Sequence, residues 1–331
     1  MSKTQWRRGG ATRLIVAPPA KDESLSSVVD RAAAQYGIGT DGALGALLRD
    51  WAEYQIPFDR DDLPDEMIGA LAEAIGITSE SLADIGITDE ANILAPGARL
   101  AYCPLCFEKD LALNRIPYFR KAWSSIFAVT CKEEGAPLFA WPMVSAYRTR
   151  ALPLPGDLRG NRRFSEDVEI RSALRIAQGI AANDVPADGR VLADVASLAK
   201  AMRLSLCGDG TWPAGWHGTV WDAKALLEIL TVNRSKLCGR TPLDSLVPSV
   251  ATAGLFRAYR EMQAPLGRRR PWAQIKGIID PAVRRSAFWV IARTINPRAY
   301  KAVGLAWMPH SIIGSSEAGW LNVLGRALEL P

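Results

Sequence analysis

Three thiols that could share one metal ion are the chemistry this chain offers most directly. Cys103-Pro104-Leu105-Cys106 separates two cysteines by two residues, the spacing of a knuckle that grips an ion from one side. Cys131 follows roughly two dozen residues later, with Glu134 and Gly135 just beyond it. Zinc accepts thiolate sulfur and carboxylate oxygen, so Cys103, Cys106, Cys131 and Glu134 would complete four ligands of a structural site. Such a set carries excess negative charge, which Lys109, Arg120 and Lys132 could offset. The alternative is that these are buried, reduced cysteines of a fold that no longer binds metal. Both readings stand at this level.

Other catalytic constellations are harder to find. The two histidines, His217 and His310, have no partner motif beside them and read as structural. No phosphate-binding Gly-rich loop and no Gly-x-Ser-x-Gly elbow is present. The acids Asp59, Asp61, Asp62, Asp65 and Glu66 read as a solvated loop leading into a helix start. The chain therefore reads as a protein that is not an enzyme.

The elements that must hold the thiols are mostly helical. Apolar residues at helical spacing predict a helix through Leu25, Val28, Val29, Ala32 and Tyr36, and another from about 43 to 54. Met67, Ile68, Leu71 and Ile75 mark a third. Beyond a Pro/Gly/Arg-rich stretch at 148–163, read as a linker, helices are expected near 165–183, 190–204, 222–230, 234–247, 251–262, 281–295 and 315–329. Asp280-Pro281 is a good helix opening, a side-chain acceptor followed by a proline in the first turn. Leu14-Ile15-Val16 reads as a short extended segment. The fold class expected is mainly α: an N-terminal α domain over 1–150 that includes a small zinc-ribbon-like β element at 98–145, then an all-helical domain over 151–331.

Bulk composition is that of an ordinary globular protein, 48% hydrophobic and 23% charged. A net charge of +5 permits a polyanionic partner. Five cysteines suit a reducing compartment better than a disulfide framework, and no apolar run reaches membrane-spanning length. Arg7-Arg8 hints at a twin-arginine signal, but Pro18-Pro19 ends the apolar stretch that follows, so a cytoplasmic location without membrane contact is expected.

Two segments have helix-turn-helix character. In Leu71–Leu82 the second helix is acidic and would be repelled by phosphate, so a packed helical pair is the expectation. In Leu226–Leu237 the second helix opens with Asn233, Arg234, Ser235 and Lys236, which can donate to phosphates and base edges. Arg268, Arg269, Arg270, Lys276, Arg284, Arg285 and Arg293 add a basic run with Trp272, Phe288 and Trp289 interleaved. Val283, Ala287, Val290 and Ile291 would form its buried stripe, leaving Arg284, Arg285 and Arg293 to solvent and to nucleic acid or a ribonucleoprotein.

Two blocks together resemble the TniQ family of bacterial transposition target-selection adaptors. One is Pro18-Pro19 with Glu23-Ser24-Leu25-Ser26-Ser27 and Arg31-Ala32-Ala33-Ala34-Gln35-Tyr36-Gly37. The other is Cys103-Pro104-x-Cys106, an aromatic and basic stretch ending at Trp123, then Cys131-x-x-Glu134-Gly135 and Leu138. Their order and separation make the pair specific, over about 14–145. Family members usually carry a histidine at the position of Glu134, and often a Cys-Pro-x-Cys where this chain reads Trp141-Pro142-Met143-Val144. Packing of Phe139, Trp141 and Val144 would replace that second knuckle. The resemblance implies a non-catalytic adaptor that selects a DNA target and recruits the transposon's AAA+ ATPase regulator and transposase. The target would be reached through its own DNA contacts or through a CRISPR ribonucleoprotein complex, and a homodimer is compatible with that role. The alternative is a helix-turn-helix transcriptional regulator.

Overall fold

A computed structural model describes residues 17–35, 59, 61–86, 92–142, 167–182, 184, 186–216, 218–231 and 281–295. The extended segment at 14–16, the linker at 148–163, both histidines and the helices expected near 43–54, 234–247, 251–262 and 315–329 lie outside them. The described chain is mainly helical with one two-stranded sheet, and it forms two compact units.

The first unit is built on α1 (Leu25–Gln35), α2 (Asp65–Ile75) and α3 (Ser79–Ile85). Ser24 caps α1, its Oγ accepting from the Ser27 N–H at 3.3 Å. Leu25, Val28, Val29 and Ala32 then fall on one buried face. Helix α2 begins after Pro64 with Asp65 and Glu66 in its first turn, where carboxylates suit the positive end of the helix dipole. It ends at Gly76, whose φ of 72° is left-handed. There the Ile77 N–H reaches back to the Ala72 carbonyl at 3.1 Å, a Schellman-type closure. Thr78 caps α3 by accepting from Ser81 N–H at 3.2 Å. Leu71, Ala72, Ile75, Leu82 and Ile85 join the α1 face in one core. The Leu71–Leu82 segment is thus a packed helical pair, and Glu80 is exposed on it.

One acid differs from the expected solvated loop. Asp61 is buried, and its carboxylate accepts from the Ser26 N–H at 2.8 Å. The amide one residue into α1 is an orphan donor, so a carboxylate brought there is stabilised by both hydrogen bond and dipole.

A helix that the cysteine spacing does not announce, α4 (Pro104–Ala112), follows directly on Cys103. Proline in the first turn gives up no helical hydrogen bond there. Asn114, at φ 55°, closes α4 with Arg115 N–H on the Asp110 carbonyl at 2.8 Å.

The second unit carries α6 (Pro186–Leu206), α7 (Val220–Thr231) and α8 (Pro281–Ile295), each packed against the other two. The preceding α5 (Val168–Ala181) buries Ile170, Ala173 and Ala177. Leu192, Val195, Leu198 and Met202 of α6 meet Ala223, Leu226 and Leu227 of α7 and Val283, Ala287, Phe288, Ile291 and Ile295 of α8. Thr219 and Asp222 open α7 reciprocally, at 3.3 Å from the Asp222 N–H to Thr219 Oγ1 and 2.6 Å from the Thr219 N–H to Asp222 Oδ2. Strands β1 (Ala101–Tyr102) and β2 (Phe139–Ala140) pair antiparallel in this unit, Ala101 opposite Ala140 and Tyr102 opposite Phe139. Ile126, Phe127 and Val129, from the loop between the strands, enter the helical core.

Phe288 is fully buried, with its ring 6.1 Å from that of Phe127. Its truncation removes contacts from both the helix and the loop. Phe288→Ala is expected to destabilise the fold by about 3–5 kcal/mol, read as a shift in the denaturant midpoint.

Candidate metal centre and the signature around it

Cys103, Cys106 and Cys131 are all buried, and their sulfurs lie within 4.8 Å of one another. Tetrahedral zinc with Zn–S bonds of about 2.3 Å needs sulfurs roughly 3.8 Å apart, so small side-chain adjustments would close the set. Cys103 follows strand β1, and Cys106 lies one turn on, in the first turn of α4. Cys131 sits on a tight loop whose backbone is tied on both arms. Its N–H bonds the Ala136 carbonyl at 2.7 Å, Gly135 N–H bonds the Cys131 carbonyl at 2.9 Å, and Leu138 N–H bonds the Val129 carbonyl at 3.1 Å. Gly135, at φ 63°, supplies the left-handed residue that turns this loop.

The fourth ligand has two claimants. Glu134 and Glu133 both bring a carboxylate oxygen within 4.8 Å of the Cys106 sulfur, with Glu134 half-buried and Glu133 exposed. The sequence pattern singled out Glu134; its neighbour has no counterpart in a ribbon motif and is found only in three dimensions. The donor set of three thiols and a carboxylate suits zinc.

The charge compensation foreseen for this set needs correction. Arg120 is buried and engaged elsewhere, with Asp22 at 3.2 Å and Asp110 at 3.4 Å. Its guanidinium carbon also lies 4.6 Å from the ring centre of Tyr118 and 4.8 Å from that of Trp123. Lys109 and Lys132 are exposed.

A second correction concerns Arg284 and Arg285. Both are buried rather than open to solvent, at 0% and 1% exposure. Arg284 Nη2 donates to the Ala128 carbonyl at 3.2 Å. Arg285 Nη1 donates to the Val129 carbonyl at 3.2 Å and also to that of Leu138. Its guanidinium carbon stands 5.6 Å from the centre of the half-buried Phe139 ring. These two arginines hold the loop of Cys131 and are withdrawn from any surface for nucleic acid. Asn233, Arg234, Ser235, Lys236, Arg268, Arg269, Arg270, Lys276 and the side chain of Arg293 lie outside the described residues.

The Glu-Ser-Leu-Ser-Ser block acquires a physical role. Buried Glu23 forms a two-pronged ion pair with Arg31, 2.8 Å to Nε and 2.9 Å to Nη2, and accepts from the Ala20 N–H at 3.0 Å. Arg31 turns its remaining donors to the Ala17 carbonyl, at 3.2 and 3.3 Å. Ser27 Oγ accepts from the Phe119 N–H at 3.1 Å, while the Ser24 N–H donates to the Phe119 carbonyl at 2.9 Å. The first block of the sequence thus grips the aromatic stretch of the second. The Phe107 ring sits 5.9 Å from Phe119, 5.9 Å from Trp123 and 5.8 Å from Trp141. Trp141 is therefore packed as the loss of a second knuckle suggests. Phe139 instead pairs with Tyr102 at 6.5 Å, and Val144 lies outside the described residues.

Burial raises the Asp110 carboxyl to about 6, against the pull of Arg120 and with a small push from Asp22. Burial likewise holds the Tyr118 phenol well above its ordinary range, opposed by Arg120 and reinforced by its 2.9 Å hydrogen bond to Asp22. Between about pH 4 and 6 the folded chain retains a proton on Asp110 that the unfolded chain has lost, so this group's contribution to stability falls as pH rises through that window. Relative to Asp110→Asn, the wild type should lose about 1–2 kcal/mol between pH 4 and pH 7, as measured by denaturant unfolding at each pH.

Residues 14–138 match the model of the TniQ family, and this stretch holds both sequence blocks and the three thiols. No curated protein and no solved structure matches the chain. Among the described residues, no helix is long and apolar enough to cross a membrane.

Proposed function

From its match to the TniQ family we infer that this protein is a transposition-associated adaptor, working by holding partners in place rather than by bond chemistry. The observation that carries the reading is the match over residues 14–138. The side chains of the signature support it. Glu23 and Arg31 pair within the first block, while Ser27 and Arg120 reach across between the blocks, Ser27 to the Phe119 N–H and Arg120 to Asp22. Residues used in that way build a rigid platform for other proteins.

The adaptor selects a target site and recruits the transposon's AAA+ ATPase regulator and transposase. Target contact is made by its own polar and basic residues, Asn233, Arg234, Ser235, Lys236, Arg268, Arg269, Arg270, Lys276 and Arg293, or by docking on a CRISPR ribonucleoprotein complex. With Arg284 and Arg285 buried, the phosphate-facing charge comes from the others. Zinc, held by Cys103, Cys106, Cys131 and one of the two glutamates, acts as a structural cross-link between segments of the TniQ region.

Two measurements test this. Tagged full-length protein expressed in cells that carry the transposon should retain its AAA+ regulator after nuclease treatment; loss of that partner with retention of a short DNA site would favour a transcriptional regulator instead. The purified chain should contain about one zinc per molecule by elemental analysis, as one closed tetrahedral site requires. Cys131→Ser should lower that content, whereas Glu134→Gln alone should leave it largely intact because Glu133 reaches the same sulfur.

A further inference from the structure

We propose that Arg284 and Arg285 are positioning residues for the metal centre, so that metal uptake and the docking of the last described helix are a single linked event. This rests on the zinc reading above and goes beyond it, because it ties the cysteine loop to a segment some 150 residues away.

The geometry is a clasp. The loop that presents Cys131 has two arms, one running through Val129 and one through Leu138, joined by the Leu138 N–H on the Val129 carbonyl. Carbonyl oxygens have two lone pairs, and the second acceptor site on Val129 is taken by Arg285 Nη1, which also donates to Leu138. One planar group therefore bridges both arms. Arg284 adds a contact one residue earlier, at Ala128. Phe127 fixes the same arm to α8 by packing on Phe288. The position of the Cys131 sulfur thus depends on α8, through backbone bonds only two residues from the ligand.

Charge points the same way. Zinc with three thiolates has a net charge of about −1, and one carboxylate makes it about −2, in a buried setting where such charge is costly. Arg120, the cation that the sequence offered as compensation, is committed to Asp22 and Asp110. Two guanidinium groups buried in the unit that holds Cys103 and Cys131 bring about +2, because arginine stays protonated in proteins. Burying two adjacent arginines is expensive, and an anionic centre in the same unit would offset part of that cost. By linkage, a helix that favours the loaded site must itself be favoured by loading.

The test uses the full-length chain with zinc alone as the probe. Hydrogen exchange is followed with and without stoichiometric zinc after chelation, together with the zinc dissociation constant of wild type and variants. Zinc should slow exchange in 281–295 as well as in 126–138. Arg285→Met should weaken zinc binding by about ten- to a hundredfold, the range typical of groups that orient ligands from behind. Arg285→Lys, which keeps the charge but not the fork, should fall between. Protection confined to 101–140, or an Arg285→Met affinity within twofold of wild type, overturns the linkage. Should Arg285→Met fail to fold, the wild-type exchange pattern alone decides. A wild type that takes up no zinc overturns the metal reading and the linkage together, and its zinc content distinguishes that result from a loaded site with an indifferent helix.

Discussion

A guanidinium carried out of water has to meet acceptors in a fixed plane, and Arg285 meets this demand on the two arms of a single loop. The placement of that loop against α8 follows from that requirement. The loop must keep Val129 and Leu138 at hydrogen-bonding distance, which its own Leu138-to-Val129 bond secures. Helix α8 must present Arg285 and Phe288 to the loop while it joins the core shared with the other helices. Since an unpaired buried charge costs several kcal/mol, alternative placements of α8 that keep the residue buried are strongly disfavoured. The hydrophobic contacts supply most of the stability, and the arginine supplies the register.

The first unit solves a similar problem with opposite-charge partners. Glu23 and Arg31 pair in two prongs, and Arg120 lies between Asp22 and Asp110 with aromatic faces of Tyr118 and Trp123 close by. The raised carboxyl of Asp110 records the tension in this arrangement, since burial outweighs the nearby cation. Such networks are weak sources of net stability and strong determinants of geometry. Beside them, Ser27 Oγ and the Ser24 N–H hold the Phe119 backbone to the start of α1, and Phe119 in turn borders the ring cluster around Phe107.

Much of this was legible in the sequence because it is local. The 3.6-residue spacing of Leu25, Val28, Val29 and Ala32 marks α1, and Pro281 marks the start of α8. That the Cys103–Cys106 pair and the single Cys131 lie within reach of each other follows from knuckle spacing and loop length. What escaped was non-local. Arginines adjacent on a helix are usually solvated, and the acceptors that bury Arg284 and Arg285 come from residues 128–138. Asp61 escaped for the same reason: its partner, the Ser26 amide, lies 35 positions away. Helix α4 was hidden differently, since a Cys-x-x-Cys pair reads as a turn while Pro104 simultaneously serves as a helix start. The motif told which residues to watch without telling what Glu23 or Ser27 does.

The distance along the chain between loop and clasp also bears on biosynthesis. A ribosome emits the Cys131 segment long before Arg284 and Arg285 emerge, so the nascent loop must wait with its carbonyls hydrated and its thiol exposed. During that interval the cysteines are open to oxidants in a way the finished molecule is not. Early ion capture by the emerging knuckle would shorten that vulnerable period, a benefit in manufacture separate from any cross-link in the folded chain.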